Sequence, residues 1–230
     1  MRALAKLTRT LRITGVRPDG YHELDAEMVT VDLADELTFS EGDGLEVTGP
    51  AAAGVPVEGN LVRRALEAAG RQALVRLHKV IPAGAGLGGG SADAAAVLRW
   101  AGVDDLGVAT SLGADVPFCL VGGRARIGGV GEVVEPLPDE DLVFTLLTPP
   151  LHVSTPAVYK AWDRLGGPTA DGPNDLEPAA LDVEPRLEAA RDELAERTGQ
   201  APVLAGSGST WFVEGAFPGD GLVVVRTSRP

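Results

Sequence analysis

The chain has 230 residues, of which 44% are hydrophobic and 23% charged, a composition typical of a soluble protein with one large domain or two small ones. A net charge of −13 argues against nucleic acid or an anionic membrane surface as the main partner. The single cysteine, Cys119, excludes an intrachain disulfide and is expected to be a buried small apolar residue. Because the sequence has no apolar run of about 18 residues and no signal-peptide core, it predicts a cytoplasmic enzyme or binding protein.

The first part of the chain is predicted to be rich in strands. Apolar and polar residues alternate over 3–13, which predicts a half-buried strand with Lys6 on its polar face and Arg9 as the one residue out of pattern. A turn with proline and Asp-Gly follows at 15–20. Further strands are predicted at 26–33, 37–40 and 44–48, before a loop at 49–59 that is rich in proline, glycine and alanine.

A helix capped by Asn60 and ended by Gly70 precedes a strand predicted at 73–81. Beyond position 100, the predicted helices lie at about 104–112, from 154 onward and at about 184–198, separated by a loop at 166–178. The predicted strands are near 118–121, 124–128, 142–147, 203–204, 210–213 and 222–226. A glycine- and proline-containing segment at 129–140 predicts a boundary between two domains, 1–138 and 139–230.

The stretch from Pro82 to Ala92 carries five glycines between positions 84 and 90 and leads into an alanine-rich helix predicted at 91–100, with Ser91 as its N-cap. A glycine-rich loop that ends on a helix N-terminus directs unpaired N–H groups and a positive dipole end at one point. The stretch therefore predicts a phosphate-binding site.

Two familiar phosphate-binding motifs fit this stretch poorly. Gly84-x-Gly86-x-x-Gly89 has the form of a dinucleotide-binding fingerprint, but no β-branched strand leads to the acidic residues about 20 positions further on. The spacing of Gly84 and Gly89 also resembles a P-loop, but glycine stands where the P-loop has its lysine.

A third pattern fits better. Pro-x-Gly-x-Gly-Leu-Gly-Gly-Gly-Ser-Ala resembles the second motif of the GHMP kinases, which bind the phosphates of ATP without a P-loop lysine. Residues 5–8 (AKLT) resemble the first motif of that superfamily, and residues 204–210 (LAGSGST) resemble its third. The resemblance implies an α+β, two-domain GHMP kinase fold, with an N-terminal mixed α/β sandwich and a C-terminal ferredoxin-like domain.

Six further segments are similar to the 4-diphosphocytidyl-2-C-methyl-D-erythritol kinase family within that superfamily. This resemblance implies ATP-dependent phosphorylation of the 2-hydroxyl of a cytidine-diphosphate methylerythritol substrate, in the non-mevalonate route to isoprenoid precursors. The segments, in chain order, are RPDGYHEL (17–24), GLGGGSADAA (86–95), LGADVPF (112–118), GVGE (129–132), STPAVYKAW (154–162) and NDLEPAAL (174–181).

The resemblance also assigns roles to residues. Lys6 would stabilise the developing alkoxide and the transferring group, and Asp115 would take the proton from the substrate hydroxyl. Without the resemblance, Lys6 would be read as a surface cation and Asp115 as a helix cap. The residues implied to hold ATP are Asn60, Leu61 and Lys79 at the adenine, and Pro82, Ala83, Gly84, Ala85, Gly86, Leu87, Gly88, Gly89, Gly90, Ser91 and Ala92 at the phosphates.

On the substrate side, the resemblance implies a cytosine pocket in which Tyr21 and Tyr159 stack on the base and His22 hydrogen-bonds its edge. Thr8 and the turn of Gly206, Ser207 and Gly208 would contact the rest of the substrate. The three histidines lack ligand spacing, so no structural metal is expected, and Mg²⁺ is expected to arrive with ATP near Ser91. The expected assembly is a monomer or a weak homodimer.

The sequence departs from the family in two respects. Thr8 stands where the first motif usually has asparagine, which shortens the reach toward a substrate diphosphate. The connection at 103–111 is also shorter than the helical connection of the family, and a short turn at 214–221 replaces a helix of the family. Because of that missing helix, part of one face of the C-terminal sheet is expected to be exposed unless something else, such as a second subunit, covers it.

Two alternatives stay open on the sequence. The first is a nucleotide-binding paralogue with little transfer activity, although the retention of both Lys6 and Asp115 argues against it. The second is a Rossmann-type oxidoreductase, which would require a parallel sheet of alternating strands and helices.

Overall fold

The computed structural model describes residues 1–230 and contains a six-stranded sheet and a four-stranded sheet. The strands of the larger sheet are β1 (Arg2–Val16), β2 (His22–Ser40), β3 (Gly44–Thr48), β4 (Leu74–His78), β5 (Arg124–Gly128) and β6 (Val133–Leu137). Their order is β3-β4-β2-β5-β6, with β1 paired to β2. Only β3 and β4 pair in parallel; every other pair is antiparallel. The Rossmann-type alternative is therefore wrong.

The smaller sheet is antiparallel throughout. Its strands are β7 (Val143–Leu147), β8 (Val203–Leu204), β9 (Trp211–Glu214) and β10 (Leu222–Arg226), in the order β10-β7-β9-β8. The helices are α1 (Leu61–Ala68), α2 (Gly89–Ala101), α3 (Leu106–Leu112), α4 (Val116–Val121), α5 (Thr155–Arg164), α6 (Glu177–Val183) and α7 (Leu187–Thr198). The α+β class is confirmed, and none of these helices has both the length and the apolar character needed to cross a membrane.

Strand β1 is buried on both faces over its first half, not on one face as the alternation predicts, because Ala3 to Thr8 are all buried. Its register against β2 shifts between Leu4 and Lys6 and again between Thr8 and Thr10. Such an irregularity re-aims the side chains that follow. Leu7 accordingly packs toward the smaller sheet, whereas Leu11 packs in the other, larger core, and the second shift accounts for Arg9 as the residue out of pattern.

Three details of the predicted elements are wrong, and a strand lies within the segment predicted as a domain boundary. Strand β2 is continuous, with no break before 37–40, and residues 118–121 belong to helix α4, where Pro117 occupies an early position that suits proline. The predicted boundary at 129–140 contains strand β6. Helix α2 begins at Gly89, so its N-cap is Gly88 and Ser91 lies inside the first turn.

Most of the C-terminal sheet is covered on both faces within the chain, whereas Val223 and Val224 of the edge strand β10 are 46% and 36% exposed. On one face, Trp211 and Val213 pack in the larger core with residues of α6 and α7. On the other, Phe144 and Phe212 pack with apolar side chains of β1 and β2. The turn after β9 also folds back, since the amide of Phe217 donates to Thr145 Oγ1 at 2.9 Å. The sheet face expected to need cover is therefore covered from within the chain at β7 and β9, and the exposure that remains is at β10. The division at residue 138 stays a prediction.

Candidate active site

A cleft of about 440 Å³ opens where β1, the glycine-rich stretch 82–92 (the glycine loop) and the turn between β8 and β9 meet. The segment 204–210 around this turn is named the C-terminal glycine turn. Most of the residues singled out from the sequence line this cleft: Lys6, Thr8, Asn60, Leu61, Lys79, Pro82, Ala83, Gly84, Ala85, Gly86, Gly88, Gly89, Gly90, Ser91, Asp115, Tyr159, Gly206 and Ser207.

The glycine loop and the C-terminal glycine turn pack backbone against backbone. Gly86 has a φ of +77°, and a Cβ there would lie 2.2 Å from the carbonyl oxygen of Ala205. The amide of Thr210 donates to the carbonyl of Ala85 at 3.1 Å. Because a side chain at Gly86 would force these two segments apart, glycine is required at this close approach.

Helix α2 follows the loop directly, and its N-cap Gly88 has a left-handed φ of +67°. The first intrahelical backbone bond runs from Ala92 N to Gly88 O, at 2.8 Å. The amides of the first turn therefore have no partner within the helix, and the helix dipole adds a partial positive charge at the same point. The arrangement can accept a phosphate group at the cleft.

Lys6 and Asp115 meet at the floor of the cleft. Lys6 Nζ lies 3.5 Å from Asp115 Oδ2 and donates to Thr8 Oγ1 at 3.0 Å. The side chain of Lys6 is 6% exposed and that of Asp115 34% exposed. Asp115 occupies the N-cap position of α4 but makes no side-chain capping bond. Its carboxylate is therefore available in the cleft. A residue that served only as a helix cap would accept a hydrogen bond from a backbone amide of the helix, and Asp115 accepts none.

Lys79 lies in a buried charge cluster on the same side of the cleft as the glycine loop. Its ammonium is paired with the carboxylates of Asp35 and Asp93, and the Asp93 contact is 2.7 Å. Asp35 Oδ1 also accepts from the amide of Ile81 at 2.9 Å. Burial raises the pKa of Asp93 to about 7, Lys79 lowers it and Asp35 raises it further. Asp93 Oδ1 is buried without a hydrogen-bond partner.

The aromatic residues form a second group. The rings of His22 and Tyr159 lie 4.8 Å apart, and His22 Nε2 is 2.8 Å from Asp163 Oδ1. Burial, and to a lesser extent the charge of Asp115, raises the pKa of Tyr159 above its ordinary value. Tyr159 is therefore a neutral hydroxyl near neutral pH. Tyr21, by contrast, is 63% exposed beside the turn between β1 and β2.

The structure places five of the singled-out residues outside the cleft lining. Leu87 and Ala92 are each 1% exposed, with side chains in the two apolar cores. Leu87 still contributes through its backbone, because its carbonyl accepts from the amide of Lys6 at 3.0 Å. The other three residues outside the lining are Tyr21, His22 and Gly208.

Several residues that line or support the cleft were missed by the sequence reasoning. Asp93 and Thr155 line it, and Thr155 Oγ1 lies 2.8 Å from Ser207 Oγ. Thr155 sits within STPAVYKAW, so the motif could have singled it out. Asp35 gave no signal, because its partners are 44 or more residues away in sequence. No group of three or more His, Cys, Asp or Glu side chains is arranged to hold a resident metal ion.

Comparisons with known proteins agree on one family. The model of the GHMP kinases N terminal domain matches residues 60–123. A 4-diphosphocytidyl-2-C-methyl-D-erythritol kinase from Paracoccus denitrificans is 41% identical over 91% of this chain and 84% of the relative. A crystal structure of 4-(cytidine 5'-diphospho)-2C-methyl-D-erythritol kinase superposes with a TM-score of 0.79 at 34% identity, covering 99% of each chain.

The fold is shared more widely than the sequence. A crystal structure of homoserine kinase from Cytophaga hutchinsonii covers 100% of this chain and 96% of its own, with a TM-score of 0.60 at 18% identity. Kinases of this fold therefore differ in their substrates, and the choice of substrate has to be argued from the side chains of the cleft.

Proposed function

The chain belongs to the family of 4-diphosphocytidyl-2-C-methyl-D-erythritol kinases, and we propose that it transfers the γ-phosphoryl group of ATP to the 2-hydroxyl of 4-(cytidine 5'-diphospho)-2-C-methyl-D-erythritol. The reaction is a step of the non-mevalonate route to isoprenoid precursors. The observation that carries the proposal is the pairing of Lys6 with Asp115 beneath the glycine loop. A protein that only bound nucleotide would have no use for that pair.

ATP is proposed to bind with its phosphates along the glycine loop, where the free amides of the first turn of α2 donate to phosphate oxygens. Asn60, Leu61 and Lys79 line the same cleft and are assigned to the adenosine. Asn60 is fixed by its own cap, because its Oδ1 accepts from the amide of Val62 at 2.9 Å. This rigidity favours a preformed nucleotide site.

The chemical step follows from the positions of Lys6 and Asp115. Asp115 accepts the proton of the substrate 2-hydroxyl, the freed oxygen attacks the γ-phosphorus, and the bond to the β–γ bridging oxygen breaks so that ADP leaves. Lys6 lies close enough to stabilise both the oxyanion and the negative charge of the transferring group. Most of the acceleration is expected to come from positioning and electrostatics, as is general for phosphoryl transfer.

The substrate is proposed to lie across the C-terminal glycine turn, with its base among the aromatic residues. Thr8 and Ser207 offer hydroxyl groups at the cleft, and Ser207 is held in place by Thr155. Tyr159 supplies one stacking surface and His22 a polar edge beside it. Tyr21 would close over the base as the second stacking surface. Stacking lets an acidic protein bind a nucleotide substrate with little help from charge.

We further propose that Mg²⁺ arrives bound to ATP, and that the hydroxyl of Ser91, which lines the cleft, lies near it. Residues 1–138 and 139–230 are proposed as the two domains. The protein is proposed to act in the cytoplasm as a monomer or a weak homodimer, since most of its C-terminal sheet is covered within the chain and the apolar side chains it leaves exposed are those of Val223 and Val224 on β10.

The experiment is an assay of the purified protein with MgATP and the cytidine-diphosphate substrate, following ADP release and the appearance of the 2-phosphate product. Homoserine and mevalonate serve as control acceptors. We expect turnover with the cytidine-diphosphate substrate and none with the controls. Folded protein that binds ATP but forms no ADP would overturn the proposal and would favour a nucleotide-binding paralogue.

A further inference from the structure

Asn174 lies in the segment that joins α5 to α6 and is 1% exposed. Its side-chain Nδ2 donates two hydrogen bonds, to the carbonyls of Leu204 at 2.8 Å and Gly206 at 2.7 Å. Its Oδ1 accepts from the amide of Leu176 at 2.9 Å. The amide group therefore uses both of its donor hydrogens on the C-terminal glycine turn and its acceptor on its own segment.

The same segment is fastened to β1, the strand that carries Lys6 and Thr8. The amide of Leu11 donates to Pro173 O, and the amide of Asp175 donates to Leu11 O, both at 2.9 Å. Asn174 thus connects β1 on one side with the C-terminal glycine turn on the other.

The turn that Asn174 holds is in contact with the reacting groups. A Cβ at Gly206 would lie 3.4 Å from Lys6 Nζ and 3.7 Å from Thr8 Oγ1. Ala205, between the two carbonyls that Asn174 binds, packs its own carbonyl against Gly86 of the glycine loop. A small displacement of this turn would change its distance from the ammonium of Lys6. It would also change the packing of the C-terminal glycine turn against the glycine loop.

We infer that Asn174 is a positioning residue for phosphoryl transfer: its amide fixes the C-terminal glycine turn at the distance from Lys6 and the glycine loop that the reaction requires. The inference rests on the proposed kinase function of the same cleft. Asn174 does not line the cleft. It acts only through the two carbonyls that it binds.

Asp175 provides a matched control. It is 2% exposed and adjacent in sequence, and it is also anchored to β1, because its carboxylate accepts from Arg12 Nη1 at 2.6 Å and from the amide of Ile13 at 3.0 Å. Its side chain has no bond to the C-terminal glycine turn. A loss of stability alone is therefore expected from Asp175→Ala as well as from Asn174→Ala, whereas a displaced turn is expected only from the changes at Asn174.

The test compares Asn174→Ala, Asn174→Asp and Asp175→Ala with the wild type, below the melting temperature of each. Asn174→Asp keeps the side-chain volume and the acceptor for Leu176, but a carboxylate cannot donate to the two carbonyls and is repelled by them. Its fold is checked by circular dichroism before the assay, and Asn174→Ala gives the same comparison without a buried charge. For both Asn174 variants we expect kcat to fall by roughly 10- to 100-fold with little change in the KM for ATP. Asp175→Ala is expected to keep kcat within about twofold of the wild type.

Hydrogen exchange of the amides at 205–210, measured without substrate, separates this inference from the proposed function. Faster exchange in the Asn174 variants than in Asp175→Ala is the expected result, and it stands even if the wild type shows no turnover. The inference is overturned if the folded Asn174 variants match Asp175→Ala in exchange, or in kcat where the wild type is active.

Discussion

The two glycine segments line one cleft, which the aromatic group reaches through Tyr159, and the two regions are built differently. Around the glycine segments Lys6 and Thr8 are buried, Asp115 is partly exposed, and the backbone of one segment rests on that of the other. In the aromatic group, the side chain of His22 is 8% exposed but Tyr21 is 63% exposed. Under the proposed function, this difference corresponds to a preorganised phosphate region, where catalytic electrostatics requires fixed dipoles, beside a base region in which the exposed Tyr21 ring is completed by the ligand.

Asp115→Asn gives the sharpest test of the preorganised region. The amide keeps the size of the side chain but cannot take a proton, so we expect kcat to fall by roughly 10²- to 10⁴-fold with the substrate KM little changed. The measurement is steady-state ADP release with each substrate varied in turn. Asp105→Asn is the control, since Asp105 caps α3 and lies outside the cleft. A loss of less than about threefold in Asp115→Asn would mean that positioning without proton transfer suffices.

Substitutions in the aromatic group should change the substrate KM, whereas Asp115→Asn changes kcat. Tyr159→Leu and Tyr21→Leu each remove one proposed stacking surface, so the KM for the cytidine-diphosphate substrate should rise by roughly 5- to 150-fold while the KM for ATP stays the same. Tyr159→Phe and Tyr21→Phe keep the rings and serve as controls. If Tyr21→Leu leaves the KM unchanged, the exposed ring does not close over the base and the aromatic region has only one stacking surface.

The sequence predicts elements well where local pattern decides the structure. Alternation located β1, and Asn60 capped its helix as predicted. Local pattern was not enough for residues 118–121, because a short apolar run is compatible with either a strand or a helix. It also failed at Asp35, where a buried carboxylate interrupts the apolar pattern of β2. The strand continues because Lys79, 44 residues further on, pairs with that carboxylate.

The same distinction holds for the site. The glycine motifs and Lys6 are recognisable because their chemistry lies within a few residues of sequence. Asn174, Asp93 and Thr155 stand within segments that resemble the family, but their roles become visible only through partners brought together by folding, such as the carbonyl of Leu204, 30 residues after Asn174. A hydrogen bond between residues that are far apart in sequence leaves no pattern in the neighbouring residues. The sequence therefore did not predict which side chains hold the glycine segments in place.

Asp93→Asn tests how much the charge of Asp93 in the buried cluster of Lys79, Asp35 and Asp93 costs in stability. Because the pKa of Asp93 is raised to about 7 in the folded protein, the folded state holds a proton that the unfolded state releases at lower pH. The free energy of unfolding should therefore fall as pH rises from about 4 to about 7. Asp93→Asn removes this dependence, so relative to the wild type it should be more stable by about 1–3 kcal/mol at about pH 8 than at about pH 5.

Urea unfolding of both proteins at the two pH values measures this difference, with Asp104→Asn, an exposed change, as the control. Parallel behaviour of Asp93→Asn and the wild type at both pH values would show that Lys79 neutralises the cluster fully. An ionised Asp93 would then not lower the free energy of unfolding.

Thr8→Val is expected to have the smallest effect and probes the departure from the asparagine usual in the family. The change preserves shape but removes the hydroxyl that accepts from Lys6, while Asp115 remains beside that ammonium. One lost hydrogen bond of about 0.5–1.5 kcal/mol corresponds to a roughly 2- to 12-fold fall in kcat. Thr10→Val, which loses only the bond from the amide of Glu27, is the control. A much larger fall would mean that Thr8 contacts the substrate directly and takes over the role of the missing asparagine.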